Sequence, residues 1–152
     1  MLFDPAARSI SYFSWLLPSD LILKIPSGSN PIHQLEVLPV LISFKIWREQ
    51  LTGRGVIIFV DNEGAKSSLV NGGSGAEVSN RIVAAIDDAI TSYASSVWYD
   101  RVPSAANPAD APSRGLAPSG RQGWRGPKEA IIGPEVRALA GCHLAFGPVK
   151  AL

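Results

Sequence analysis

The chain has 152 residues, 46% hydrophobic and 18% charged, with a formal net charge of +1. This is material for one domain with a sizeable core, and it excludes both a disordered chain and a strongly basic nucleic-acid binder. No stretch approaches the roughly 20 apolar residues that span a bilayer, and the single cysteine, Cys142, excludes an internal disulfide and a cysteine-built zinc site. Met1 is followed by Asp4, Pro5 and Arg8 rather than by an apolar run, so no signal peptide is expected. The expected location is intracellular, cytoplasm or nucleus, with no membrane partner. Charge is uneven: residues 1–100 carry seven Lys/Arg against ten Asp/Glu, residues 101–152 seven against three. The basic part is either a solvated tail or an arm that touches phosphates.

The opening reads as a hairpin, with a strand end at Met1 to Phe3, a turn at Asp4-Pro5-Ala6-Ala7, and an alternating strand from Ser9 to Trp15. Residues 18–31 form a loop containing the apolar patch Leu21 to Ile25. A helix is predicted from about Ile32 to Leu51. It is apolar nearly all round, which places it inside the domain; Glu36 lies within it, and Pro39 should kink it. Gly53-Arg54-Gly55 is a turn. Val56 to Asp61 is a continuous β-branched and aromatic run, the pattern of a strand covered on both faces. Asp61 ends it, where open α/β sheets place ligands.

Asn62 is positioned to cap a short helix from Glu63 to Val70, and Gly72-Gly73-Ser74-Gly75 reads as a hinge. A second amphipathic helix covers about Val78 to Ser95, with Ile82, Ile86, Ala89 or Ile90, and Tyr93 on its apolar stripe. Val97 to Val102 is a short strand ended by Pro103. Asn107-Pro108-Ala109-Asp110 looks like a helix start. Beyond Arg114 periodicity fades. Residues 115–152 are expected to be an irregular tail without sheet pairing, with a short helix at Pro134 to Ala140, so the domain boundary falls at about residue 114.

Three acids stand out by context: Glu36 in a buried helix, Asp61 at the end of a buried strand, and Asp110 after the second strand. Buried carboxylates need partners, and converging ones repel. A divalent cation with oxygen ligands removes that penalty, and two such ions serve in-line phosphoryl transfer. Asp after a strand also serves as a turn or cap residue, and Glu in a helix also faces solvent, so the residue types alone leave both readings open. His33 and His143 are far apart with no companion motif, and Ser104 and Ser113 have no evident base.

Three segments change the odds. They are Ile32-His33-Gln34-Leu35-Glu36-Val37-Leu38-Pro39-Val40, Phe59-Val60-Asp61-Asn62-Glu63-Gly64-Ala65, and Arg101 to Arg114 with Asn107-Pro108-Ala109-Asp110-Ala111-Pro112-Ser113-Arg114 at its end. In order and spacing they resemble the ribonuclease H domain that follows the reverse transcriptase in retrotransposon polyproteins, particularly DIRS-like elements. The resemblance covers about residues 1–114. It implies an α/β fold, a mixed five-stranded sheet flanked by helices, with the family's first strand missing here.

It also implies an Asp-Glu-Asp-Asp site holding two Mg²⁺ (or Mn²⁺) ions, with Glu36, Asp61 and Asp110 as catalytic metal ligands, and cleavage of the RNA strand of an RNA–DNA hybrid. The family's first Asp sits on the missing strand and is not carried onto Asp4. The loop before Asp110 also lacks the His common in the family. The isolated chain is therefore expected to be weakly active or inactive. The alternative is a non-catalytic remnant that binds nucleic acid or supports a neighbouring reverse transcriptase domain of the same polyprotein.

Overall fold

The computed structural model describes residues 1–13, 31–75 and 77–110 and the backbone of 124–125. It is mixed α/β, with two small sheets and four helices among the described residues. In chain order these are β1 (Leu2–Asp4), β2 (Ser9–Ser11), α1 (Pro31–Ile46), α2 (Arg48–Leu51), β3 (Gly55–Val60), α3 (Glu63–Asn71), α4 (Glu77–Ser92), β4 (Ser96–Arg101) and β5 (Trp124–Arg125). The predicted loop at 18–31 lies outside the described residues except for Pro31, and so does the helix at Pro134 to Ala140.

The opening is a hairpin, with β1 and β2 antiparallel and Leu2 opposite Ser11, but Asp4, expected in the turn, is the last residue of β1 opposite Ser9, and β2 ends at Ser11, short of the expected strand. The Asp4 carboxylate closes the turn by accepting the Ala6 and Ala7 amides at 3.0 and 3.1 Å. Beyond residue 114 one expectation is corrected. Trp124–Arg125 runs parallel to β2, with Trp124 opposite Ile10, so this stretch does take part in sheet pairing. The free outer edge of a short hairpin is a ready acceptor for such a strand.

The predicted helix over 32–51 is two helices. The break falls at Trp47, whose backbone leaves the helical region while its indole, 2% exposed, packs at 5.6 Å from Phe13. The helix runs through Pro39, which lies on its exposed side, and the Ser43 hydroxyl donates to the Pro39 carbonyl at 2.8 Å. Val37, Leu41 and Phe44 of α1 meet Ile82, Val83 and Ile86 of α4 in one buried cluster with Val60, Ala65 and Leu69. α4 follows its predicted stripe, with its polar side outward. Asn62 caps α3 by accepting the Ala65 amide at 2.9 Å, and Gly72, in the left-handed region, closes its other end.

β3 and β4 pair in parallel from Gly55 opposite Ser96 to Val60 opposite Arg101. The crossover between them carries α3 and α4, as parallel pairing requires. Val56 and Ile58 of β3 and Val97 and Tyr99 of β4 turn toward the helices. The other face corrects the expectation of a strand covered on both sides: Ile57 and Phe59 are 63% and 59% exposed, and Trp98, opposite Ile57, is 68% exposed. A continuous β-branched run signals apolar surroundings, but it does not say which element supplies the second cover. No helix among the described residues is long and apolar enough to cross a membrane.

Candidate functional site

The C-terminal end of β3 gathers all three segments singled out in the sequence. β3 ends at Val60, and Asp61 follows in the bend before the Asn62 cap. Hydrogen bonds to its neighbours fix this bend, the Val102 amide donating to the Val60 carbonyl at 3.0 Å and the Lys66 amide to the Asn62 carbonyl at 3.0 Å. Asp61 is thereby presented at the mouth of a parallel pair whose helix-side face is buried, a position where strand ends, loops and helix starts converge.

Glu36 comes to Asp61 from α1. The two carboxyls are within hydrogen-bonding reach, and the Glu36 carboxyl is held above its ordinary range, first by partial burial, then by the Asp61 charge and by the hydrogen bond the pair shares when one of them is protonated. Two sequence-distant acids are therefore brought together at the end of β3.

The third segment arrives through Asn107. A 3₁₀ turn, Ser104–Ala106, follows β4 and Pro103. Asn107 then donates from its side-chain amide to Asp61 Oδ2 at 3.3 Å. Its own Oδ1 accepts the Ala109 amide at 3.0 Å, and its carbonyl accepts the Asp110 amide at 3.1 Å. One side chain thus ties the loop bearing Asp110 to the end of β3. Sequence reasoning did not assign Asn107 this part, although Asn before Pro is a known turn former whose side chain bonds backbone two residues on. Asp110 ends the described stretch, and among the described residues no three His, Cys, Asp or Glu side chains converge closely enough to hold a metal ion. The pair that does form is Glu36 with Asp61.

Two further residues are clarified. Asp4 is fully engaged: besides the two turn amides, it accepts from the Arg54 guanidinium at 3.0 Å. Its carboxyl is held below the usual range, chiefly by the Ala7 amide and also by Arg54, against an opposing effect of burial. It stands at the opposite end of β3 from Asp61. His33, which had no companion motif in sequence, bridges three helices. Nδ1 lies 3.2 Å from the Ser79 hydroxyl, and Nε2 lies 2.8 Å from the Ser68 hydroxyl and 3.1 Å from the Gly64 carbonyl. Ser79 and Ser68 are both buried, so His33 answers polar groups that water does not reach. Single serines 35 and 46 residues away leave no signal in sequence.

The donors at the Glu36–Asp61 pair are oxygens only, repel one another when ionised, and border an open strand end. That is the donor chemistry of a hard divalent cation, Mg²⁺ or Mn²⁺. Comparison with protein-family models, curated proteins and solved structures finds no match to this chain.

Proposed function

We propose that this chain is a ribonuclease H-like domain of retrotransposon origin, whose lineage cleaves the RNA strand of RNA–DNA hybrids with divalent metal. The observation that carries this reading is the meeting of Glu36, Asp61 and Asn107 at the end of β3, each from a different one of the three resembling segments. Glu36 and Asp61 would hold the metal, with Asp110 completing the set from the loop that Asn107 fastens. When bound, divalent cations activate a water for in-line attack and stabilise the leaving oxygen. The protein's own part is to fix the carboxylates: β3 and the Asn62 cap set Asp61, α1 sets Glu36, and Asn107 holds Asp61 Oδ2. A hybrid duplex would be read by shape, phosphates and 2′-hydroxyls.

One observation favours the second reading, a non-catalytic remnant that supports a neighbouring reverse transcriptase domain: only two of the three proposed ligands meet among the described residues. A hybrid-cleavage assay separates the two. The chain alone with Mg²⁺ or Mn²⁺ is expected to cleave little or not at all. A version with an Asp-bearing ribonuclease H strand fused ahead of Met1 is expected to cleave, and Asp61→Asn in it should lower the rate by at least about 10²–10³. Cleavage that survives Asp61→Asn would remove the site assignment. A fused version that folds, binds no Mn²⁺ and cleaves nothing would favour the remnant.

A further inference from the structure

Glu36 and Asp61 repel when both are ionised, so contacts outside the pair have to keep them close. Asp61 directly precedes the Asn62 cap of α3, and Gly64 is the second residue of that helix. α1 reaches the same turn with His33, which precedes Glu36 by three residues and so lies on the same side of α1. Its half-buried ring stands against Gly64: a Cβ at Gly64 would lie 3.5 Å from His33 Cδ2 and 3.2 Å from the cap oxygen, Asn62 Oδ1. The repelling pair and the imidazole therefore join the same two elements, α1 and the start of α3, about one helical turn apart.

The chemistry of its partners fixes the state of the ring. The Gly64 carbonyl only accepts, and it lies 3.1 Å from Nε2, so Nε2 carries the hydrogen. The Ser68 hydroxyl, 2.8 Å from Nε2, itself donates to the Gly64 carbonyl at 3.0 Å, and its oxygen accepts from the ring. In the neutral ring Nδ1 then holds a lone pair, and the Ser79 hydroxyl, 3.2 Å away on α4, donates to it. With both nitrogens engaged, His33 has no lone pair to offer a metal ion or a water. Its part is to hold helices together, and the burial of Ser68 and Ser79 makes that hold costly to give up.

We infer that His33 is a positioning residue: by bonding Gly64 and Ser68 of α3 and Ser79 of α4, it holds the first turns of α1 against α3 and keeps Glu36 beside Asp61 in spite of their repulsion. Its bearing on a bound cation rests on the divalent-metal reading of the pair given above; its bearing on the pair itself does not.

Metal-free urea denaturation of the full chain tests the holding alone. Glu36→Gln should raise the midpoint of the parent chain, and should raise that of His33→Leu clearly less, because a pair that is no longer held separates by itself. An equal gain in both backgrounds would overturn the inference, since a residue that only fills the helix junction adds its effect independently. If His33→Leu does not fold, Ser68→Ala, which removes the 2.8 Å partner alone, takes its place with the same two outcomes.

Mn²⁺ alone is the probe for the second arm, titrated calorimetrically where each variant is folded. His33→Leu should weaken Mn²⁺ binding by about 10–100-fold, the usual cost of losing a group that orients a metal ligand. His33→Gln, whose amide donates from the place of Nε2, should recover most of that loss. Unchanged affinity in His33→Leu would overturn the inference. No Mn²⁺ binding by the parent chain would instead overturn the divalent-metal reading, and the denaturation cycle then decides the role of His33. Long-range ¹H–¹⁵N spectra of the neutral ring in the parent chain should show its hydrogen on Nε2; a hydrogen on Nδ1 would break the bonding scheme and the inference with it.

Discussion

The two ends of β3 handle negative charge in opposite ways. At its start, beside Arg54, the Asp4 carboxylate accepts two turn amides and a guanidinium, and the fold favours its charged form. At its finish, Asp61 is set against Glu36, with one long bond from Asn107 on its Oδ2, and the fold disfavours the charge on Glu36. A single strand thus joins a carboxylate that stabilises the fold to a carboxylate pair that strains it. The difference separates an acid whose charge the fold satisfies from a pair whose charge it leaves in mutual repulsion. Charge that the chain's own donors satisfy has no call on an outside cation, whereas charge left in mutual repulsion does.

Substitutions can break this contrast, and the largest loss is expected at the satisfied end. Asp4→Ala leaves the Ala6 and Ala7 amides and the Arg54 guanidinium without their acceptor, so it should lower the denaturation midpoint more than any substitution at the other end. A midpoint equal to that of the parent chain would show that the turn holds itself. Next is Asn107→Ala, which removes the link between Asp61 and the Asp110 loop. It should cost about 0.5–1.5 kcal/mol, the usual net value of one hydrogen bond, measured by urea denaturation.

Smaller and opposite in sign is Glu36→Gln, which relieves the repulsion. Because the pair is half exposed and screened, the gain should stay below about 1 kcal/mol. A loss of stability in Glu36→Gln would mean that the pair is not frustrated. Mn²⁺ should raise the midpoint of the parent chain and not that of the variant.

The pH profile sharpens the same comparison. The raised Glu36 value means that its charge is a penalty above the folded pKa. This penalty is lifted as pH falls through that value toward the ordinary 4.5, so stability rises over that window. The lowered Asp4 value has the reverse consequence. Its contribution is complete above the ordinary 3.8 and is lost as pH falls below it through the folded value. Denaturation curves across this range should show a shallow rise followed by a fall, with the rise reduced in Glu36→Gln, where Asp87, also held above its ordinary value by burial and by Asp88, still contributes, and the fall reduced in Asp4→Asn. A monotonic profile shared by all three proteins would dissolve the contrast.

A further test lies beside the site rather than in it. The Tyr99 hydroxyl is buried with no hydrogen-bond partner among the described residues, and burial, helped by the charge of Asp87, pushes its pKa up to about 12. Tyr99→Phe should therefore be neutral or stabilising by up to about 1 kcal/mol.

Much of this arrangement was legible from local pattern. The hairpin was visible because a Pro-containing turn separates an alternating strand from a short start, and α4 because its apolar stripe is regular. Asp61 and Asn62 were readable because a strand end followed by a cap is local chemistry. What escaped depends on partners distant in sequence. The break at Trp47 follows from seating its ring against Phe13, 34 residues away, and periodicity continues through it undisturbed. The uncovered side of β3 was hidden because an apolar run reads the same whichever element covers it. Of the site, Glu36 and Asp61 stood out by their context in a buried helix and at a strand end, while their meeting and the part of Asn107 rest on geometry that no spacing rule contains.

The parallel pairing of β3 with β4 also has a consequence in time. The two strands are separated by residues 61–95, which hold α3 and α4, so they cannot zip together from a turn as β1 and β2 can. Hairpins close in roughly 1–10 μs, whereas a parallel ladder must await a long crossover whose closure entropy is met only when its helices find their cores. During refolding, amides of the opening hairpin should gain protection first and those of β3 and β4 last, as pulsed hydrogen exchange would record; simultaneous protection would contradict this order. The end of β3, where Glu36, Asp61 and Asn107 meet, is then among the last places to form, and a slow-folding or destabilised chain would lose its site before it loses its helices.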